Sequence, residues 1–419
     1  MSDTVSLHHR ATATSPLLLP SVKNLDASLP TETDVLIIGG GLAGCAIAYY
    51  LATAGVAVTL VERGELNREA SGTNAGSFHF QIAIHQLTST NSEADQQRLL
   101  NDVRLQAAAA AVWSELEAEL GTDLGVHVTG GLMVAETPSE VQILFDKQKI
   151  ERRAGLETEV LTGYALRDFA PYLSDRIIGA TYCAKEGHAN PLLSAPAFAT
   201  RALEAGARVK THAEVLSVES VDGNSATRFR VRTSAGTIGA HRVVNAAGAW
   251  ANSIARLSGL QLPMRHEGLH VNVTEPRERM LTPMLQHIGR RLTLKQASNG
   301  TFIIGGGWPA RDEPEPRRNS VRWSSAAGNA AVALSVLPSL KDVRITHMWT
   351  GVIAFTDDLN PILGEFGSLP GYFVCVASTG FTLGPLVARE LAHHLVDPGA
   401  SQLPPEFAPD RIINLSNPT

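Results

Sequence analysis

The chain is short of cysteine. Three occur in 419 residues, Cys45, Cys183 and Cys375, and no pair has the spacing of a metal site or a redox couple. A disulfide framework, a zinc site and a cysteine-held iron–sulfur centre are therefore not expected. A long basic run is also missing, and the formal net charge is −6, which argues against nucleic acid as the main partner. No stretch approaches the roughly 18 apolar residues of a membrane span. The first thirty residues are rich in Ser, Thr and Pro, with "PLLLP" as their only apolar cluster. A signal peptide would carry roughly 7–15 apolar residues there. Residues 1–30 are expected to be a flexible tail, 401–419 a C-terminal tail, and the cytoplasm the compartment. Internal repeats are absent too.

What is present is an ordinary globular composition, 44% hydrophobic and 18% charged, in a chain long enough for two domains. "DVLIIGG" from Asp34 is a buried-strand pattern stopped by glycine. "LAGCAIAYYLATAG" follows as a helix of small residues, and "VAVTLVERG" as a second strand ending at Glu62. Gly39, Gly41 and Gly44 fit G-x-G-x-x-G at the strand-to-helix turn of this βαβ unit. The first permits the turn, the second lets a pyrophosphate reach the backbone, and the third lets helix and strand pack closely. The helix start offers free N–H groups and the positive end of its dipole to the phosphates. Glu62 stands 23 residues after Gly39, where an acid would hold a ribose hydroxyl. A lone glycine pattern marks only a tight turn; here strand, turn, helix, strand and acid fall in order.

Later segments read as a long helix from about Asp95 to Leu120, a helix from Pro138 to Ala154, and a hairpin around Asn299-Gly300. "GTFIIGGGW", with Gly305 to Gly307 near its end, follows a strand, but no helix pattern comes after it. A second phosphate-binding turn, which an NADPH-dependent monooxygenase would need, is missing. "STGFTLGP", Ser378 to Pro385, is a strand end, a glycine turn and a helix start. Such a start aims N–H groups at a negative site, as a reduced flavin presents near N1 and O2.

Together these segments resemble the FAD-dependent amine and amino-acid oxidoreductases, the family of D-amino acid oxidase, glycine oxidase, D-amino acid dehydrogenase and sarcosine oxidase. The likeness runs from about Thr33 to Val396. "DVLIIGGGLAG…VTLVERG" resembles the ADP-binding unit, and "ASGTNAGSFH", Ala70 to His79, the flavin-side loop. "AEVLSVES" resembles the strand whose valine, here Val215, meets the adenine side. "VVNAAGAWA", "MWTGVIAFTDDLNPILG" and "GFTLGP" resemble three further signatures. "TNAGSFHFQ" and "LTLKQ…GGGW" look most like the branch that holds opine oxidase and the sarcosine oxidase β-subunit.

The resemblance implies an α/β protein: a discontinuous Rossmann-like FAD-binding domain (31–90, 181–262, 343–400) with an inserted α+β substrate domain built on an antiparallel sheet (91–180, 263–342). It implies FAD contacts from Gly39, Gly41, Leu42, Ala43, Gly44, Glu62, Arg63, Ser71, Asn74, Ala75, Gly76, Val215, Ala247, Gly248, Trp250, Gly351, Gly380, Phe381, Thr382 and Leu383. Some relatives attach flavin covalently through Cys or His. Cys375 sits inside a strand pattern, so non-covalent FAD is expected. The implied reaction moves a hydride equivalent from the carbon beside an amine to flavin N5, giving an imine that water hydrolyses.

Two departures stand out. Where α-amino-acid members carry a carboxylate-clamping arginine after W-x-G, this chain has Ile353. Where single-chain sarcosine oxidases carry a lysine after "STGF", it has Thr382. A bulkier secondary amine, such as an opine or N-substituted amino acid, is therefore expected rather than a simple amino acid. The alternatives are a D-amino acid dehydrogenase with a relocated anchor, or a flavoprotein subunit that relays electrons within a heteromeric complex. His79 and Lys295 are the expected catalytic residues, with His270, Arg290 and Arg291 as further anchor candidates. Arg290 and Arg291 are expected on a strand, so that at most one points inward. No metal site is expected.

Overall fold

The structure, a computed structural model, describes residues 25–88, 92–221, 227–312, 319–356, 358–399 and 403–411. Most of the expected N-terminal tail lies outside these residues, as do 401–402 and 412–419 of the C-terminal tail. Leu25 and Asp26 are not part of a free arm: Leu25 bridges to Val209, and the Asp26 carboxylate accepts from the Thr211 amide at 2.9 Å.

The central strand, Glu32–Ile38, is apolar because both faces are covered; Val35, Leu36 and Ile37 have no exposure. It lies in an eight-stranded sheet, parallel to Val58–Val61 on one side and to Gly236–Asn245 on the other. The sheet continues to Arg208–Lys210 at one edge and through Tyr372–Val376 to Ile362–Glu365 at the other. Segments far apart in sequence thus form one nucleotide-type sheet. Val215–Ser220 and Phe229–Thr233 extend it as an antiparallel meander. The helices Leu42–Thr53, Pro191–Glu204 and Gly380–Val396 cover one face, the first packing on both others through small residues.

A second eight-stranded sheet runs Ile345–Phe355, Arg265–Pro276, Thr301–Gly305, Thr293–Gln296, Met284–His287, Gly131–Ala135, Gly179–Cys183, Glu159–Thr162. Its pairings are antiparallel except that between Met284–His287 and Gly131–Ala135. The sequence division at 343 groups Ile345–Phe355 with the nucleotide segments. Its hydrogen bonds go to Arg265–Pro276, in the second sheet. Helix Trp323–Val336, whose residues show no clear period in sequence, backs this sheet. The glycines at 305–307 lead into no helix; Gly306 and Gly307 have φ of 117° and 81°.

A buried polar network joins the two units. Lys147 and Glu151, both without exposure, pair at 2.7 Å on helix Pro138–Arg153. Lys147 also donates to Gln81 Oε1, and Glu151 accepts from Thr158 and the Ile82 amide. Glu186, equally buried, accepts from the amides of Phe80 and Gln81. Segment 79–82 is therefore bolted to the second unit by charged hydrogen bonds. Lys147→Met leaves the Glu151 charge buried without its cation and is expected to cost about 3–5 kcal/mol of stability, read from urea unfolding.

Candidate active site

The glycine turn is built without spare room. Gly39 has φ 115°, and a Cβ there would lie 2.6 Å from the Ala246 carbonyl oxygen. A Cβ on Gly44 would lie 2.0 Å from the Gly39 oxygen, which keeps helix and strand in contact. The helix has no side-chain cap at Gly41. Ser71 Oγ accepts from the Leu42 amide at 2.9 Å, while Gly41, Ala43 and Gly44 have no protein acceptor among the described residues. Apart from the Leu42 amide held by Ser71, the first amides of this helix have no acceptor among the described residues, which fits a diphosphate.

Glu62 binds the turn from the end of the second strand. It accepts from the Gly40 amide at 2.7 Å and the Gly64 amide at 2.9 Å. A carboxylate has about four acceptor positions, so capacity remains for a ribose hydroxyl. Arg63 pairs with Glu69 at 2.8 Å and stacks 4.0 Å from the Trp250 ring centre. Ala247 and Gly248 lie in the loop over Gly39. Val215 begins the meander two residues after Ala213, whose amide donates to the Glu62 carbonyl. These residues cluster at the end of the sheet beside the glycine turn.

At the other end Asn74 rigidifies its own loop, donating to the Ala70 and Ser71 carbonyls and accepting from Gly76 N at 2.6 Å. Ala75 Cβ lies 3.9 Å from a Cβ placed on Gly305. Strand Ile345–Phe355 rests on this loop: Trp349 Nε1 donates to the Thr73 carbonyl at 2.7 Å, and a Cβ on Gly351 would lie 2.1 Å from Thr73 Oγ1. The last helix also starts without a side-chain cap, at Thr379. Leu383 N bonds back to Thr379, leaving Gly380, Phe381 and Thr382 amides without protein acceptors among the described residues. Ser378 Oγ, just before them, is buried without a partner among the described residues. Trp113 holds this turn by donating to the Thr382 carbonyl at 2.8 Å, and Phe381 stacks with Phe78.

Register decides which anchor candidates meet this turn. Lys295 pairs with Ile303, Ile303 with Val273, and Val271 with Trp349. By alternation these residues share one face with Gly351 and Ile353, the face that meets the flavin-side loop. Lys295 is 3% exposed, and its Nζ lies 3.1 Å from a Cβ position on Gly76. It has no hydrogen bond or ion pair among the described residues, and burial alone pulls its pKa from 10.5 to about 7. The unfolded chain keeps that proton up to about pH 10.5, whereas the folded chain releases it near 7. Stability is expected to rise with pH across that window, and Lys295→Met to flatten the rise in urea unfolding series.

His79 is partly buried, its Nδ1 lacks a partner among the described residues, and the Gln286 side chain lies close to its ring. Burial, aided by Lys295, pulls its pKa down to about 4, so the ring is neutral near pH 7. Its amide lies 3.4 Å from Thr382 Oγ1.

The other anchor candidates lie elsewhere. His270 is on the opposite face, 1% exposed, bonded to Asn272 Oδ1 at 2.8 Å and covered by helix Trp323–Val336. Arg290 and Arg291 are not on a strand but in the loop between Met284–His287 and Thr293–Gln296. Arg290 is tied to Glu136 and Ser335, and Arg291 donates to the Gly307 carbonyl at 3.1 Å. Gln286 and His188 do not stand out in the sequence, because nothing in their local pattern announces that they come near Lys295. The three cysteines are buried, and their thiols are pushed up to about 12.

Residues 34–394 match the family DAO, FAD dependent oxidoreductase. The chain belongs to that family. It is an FAD-dependent oxidoreductase of the α/β class. It is 28% identical to an opine oxidase subunit from Rhizobium meliloti, over 86% of this chain and 94% of that protein. It is 27% identical to mouse (Mus musculus) sarcosine dehydrogenase, spanning 88% of this chain but only 40% of the longer relative. Among solved structures, L-proline dehydrogenase from P. horikoshii superposes with a TM-score of 0.80 at 26% identity, covering 92% of this chain and 99% of that one. No described helix is long and apolar enough to cross a membrane.

Proposed function

We propose that this enzyme oxidises the carbon–nitrogen bond of a secondary amine or N-substituted amino acid. The observation that carries the reading is Lys295: a buried amine with no partner among the described residues, set against Gly76 on the face that also bears Ile353. The similarity to an opine oxidase subunit and to sarcosine dehydrogenase supports this substrate class.

In this reading the Gly41, Ala43 and Gly44 amides hold the FAD diphosphate, with Glu62 and Val215 at the adenosine. The amides of Gly380 to Thr382 face the charge-bearing edge of the ring. Bound non-covalently, FAD supplies the hydride acceptor. Lys295, neutral above about pH 7, takes the proton of the substrate ammonium, because only the free amine has the nitrogen lone pair that drives loss of the C–H hydride. Ile353 leaves an apolar wall where a carboxylate clamp would stand, which suits an N-substituent. His79 and Gln286 present neutral hydrogen-bonding groups beside it.

The test is an anaerobic panel of D- and L-amino acids, L-proline, sarcosine, N,N-dimethylglycine and an opine, followed by bleaching of the flavin's visible band. Bleaching by N-substituted members is expected. A flavin that no amine bleaches would mark an electron-relay protein and end this reading. Bleaching by D-amino acids alone would mark the dehydrogenase alternative. Partner chains are part of the proposal, since one relative is named as part of a larger oxidase; they are sought by affinity purification from the native host.

A further inference from the structure

The proton that Lys295 takes must leave a buried site. Strand Ser77–Phe78 pairs antiparallel with Gly187–His188, and Ser77, the residue after Gly76, stands opposite His188. Lys295 Nζ and His188 therefore flank consecutive residues of the same loop. His188 is 6% exposed, and its Nδ1 is buried without a partner among the described residues. On its other side His188 exchanges both backbone hydrogen bonds with His127, at 2.7 and 3.0 Å. The two rings lie 5.1 Å apart, and His127 is exposed. One buried imidazole with an unused nitrogen thus lies within electrostatic reach of the buried lysine and 5.1 Å from a solvent-facing imidazole.

We propose that His188 and His127 form the route by which Lys295 exchanges its proton with solvent. The proposal rests on Lys295 facing the reacting amine. The substrate ammonium gives its proton to Lys295 Nζ and keeps its lone pair. Nζ passes a proton to the unprotonated nitrogen of His188, which releases the proton on its other nitrogen to His127, and His127 delivers one to water. Each histidine ends with as many protons as it began, no electrons move, and one positive charge leaves the site. The titratable and charged groups facing His188 are Lys295, His127 and Arg279, with Glu186 on its own segment engaged by Gln81, Phe80 and Gln286. Burial first, then the neighbouring Lys295, His127 and Arg279, pulls the His188 pKa down to about 3, so a proton arriving there moves on.

The experiment uses FAD-loaded enzyme and sarcosine, or the panel member that bleaches fastest, in anaerobic single turnovers. His127→Phe, at an exposed position, and His188→Gln are each expected to slow reduction on the order of tenfold, less than loss of a base itself. Added imidazole is expected to restore the His127→Phe rate, which a structural defect would not allow. Independently of turnover, NMR of ring-labelled histidines should show the His188 titration moving upward in Lys295→Met while exposed His266 stays fixed. Unchanged rates in both histidine variants, or a His188 titration indifferent to Lys295, would overturn the route. If Lys295→Met itself reduces flavin at the normal rate, the underlying reading fails instead.

Discussion

Gly44→Ala is expected to give protein that no longer retains FAD. The added carbon would lie 2.0 Å from the Gly39 oxygen and 3.2 Å from its carbonyl carbon. Both are backbone atoms of the strand-to-helix turn, so no side chain can swing aside. Relief requires the helix Leu42–Thr53 to lift from the strand, carrying the Gly41, Ala43 and Gly44 amides off the line a diphosphate would take. Overpacking of this kind costs about 1–3 kcal/mol in stability, and the larger effect falls on the cofactor. Gly64→Ala is the control: it is two residues past Glu62, and its Cβ would meet only Glu62 Oε1, at 3.9 Å. The flavin-to-protein absorbance ratio after gel filtration is expected to collapse in the first variant and hold in the second.

Lys295→Met is expected to leave FAD content intact and to lower the anaerobic reduction rate by about 10²–10⁴, the range for a lost general base. Methionine keeps the length of the side chain and its apolar fit against Gly76, so packing is not the variable. In the wild type the rate at saturating substrate should rise with pH through about 7, as Nζ gives up its proton. The variant should lose that rise. If Lys295 anchored a carboxylate instead, its charged form would be the active one. The rate at saturation would then stay nearly flat while kcat/KM fell through the same range, and the variant would show a raised KM with kcat little changed.

The glycine turn and its Glu62 contacts were legible in the sequence because their determinants are local. Gly39, Gly41, Gly44 and Glu62 fall within one βαβ unit, and each acts on backbone a few residues away. The face that bears Lys295 depends on register between distant strands. His270 and Lys295 look alike in sequence, each a basic residue in an alternating stretch, yet pairing through Ile304 and Ile303 sends them to opposite faces. Nothing around Arg290 signals that Glu136 would claim it, and His188 gains meaning only when Ser77 and His127 pair on either side of it. Lys147 and Glu151 show a four-residue spacing that usually marks a solvated ion pair. Only the fold shows that the pair is buried and holds the segment carrying His79.

The most direct measurement is a crystal structure of the enzyme with FAD, reduced anaerobically and soaked with a secondary amine. The diphosphate is expected on the amides of Gly41 to Gly44 and the ring edge at Gly380 to Thr382. The amine nitrogen is expected within about 3 Å of Lys295 Nζ, a hydrogen-bond distance. An amine bound away from Lys295, or a Lys295 side chain turned from Gly76 to a carboxylate, would contradict the role given to that lysine.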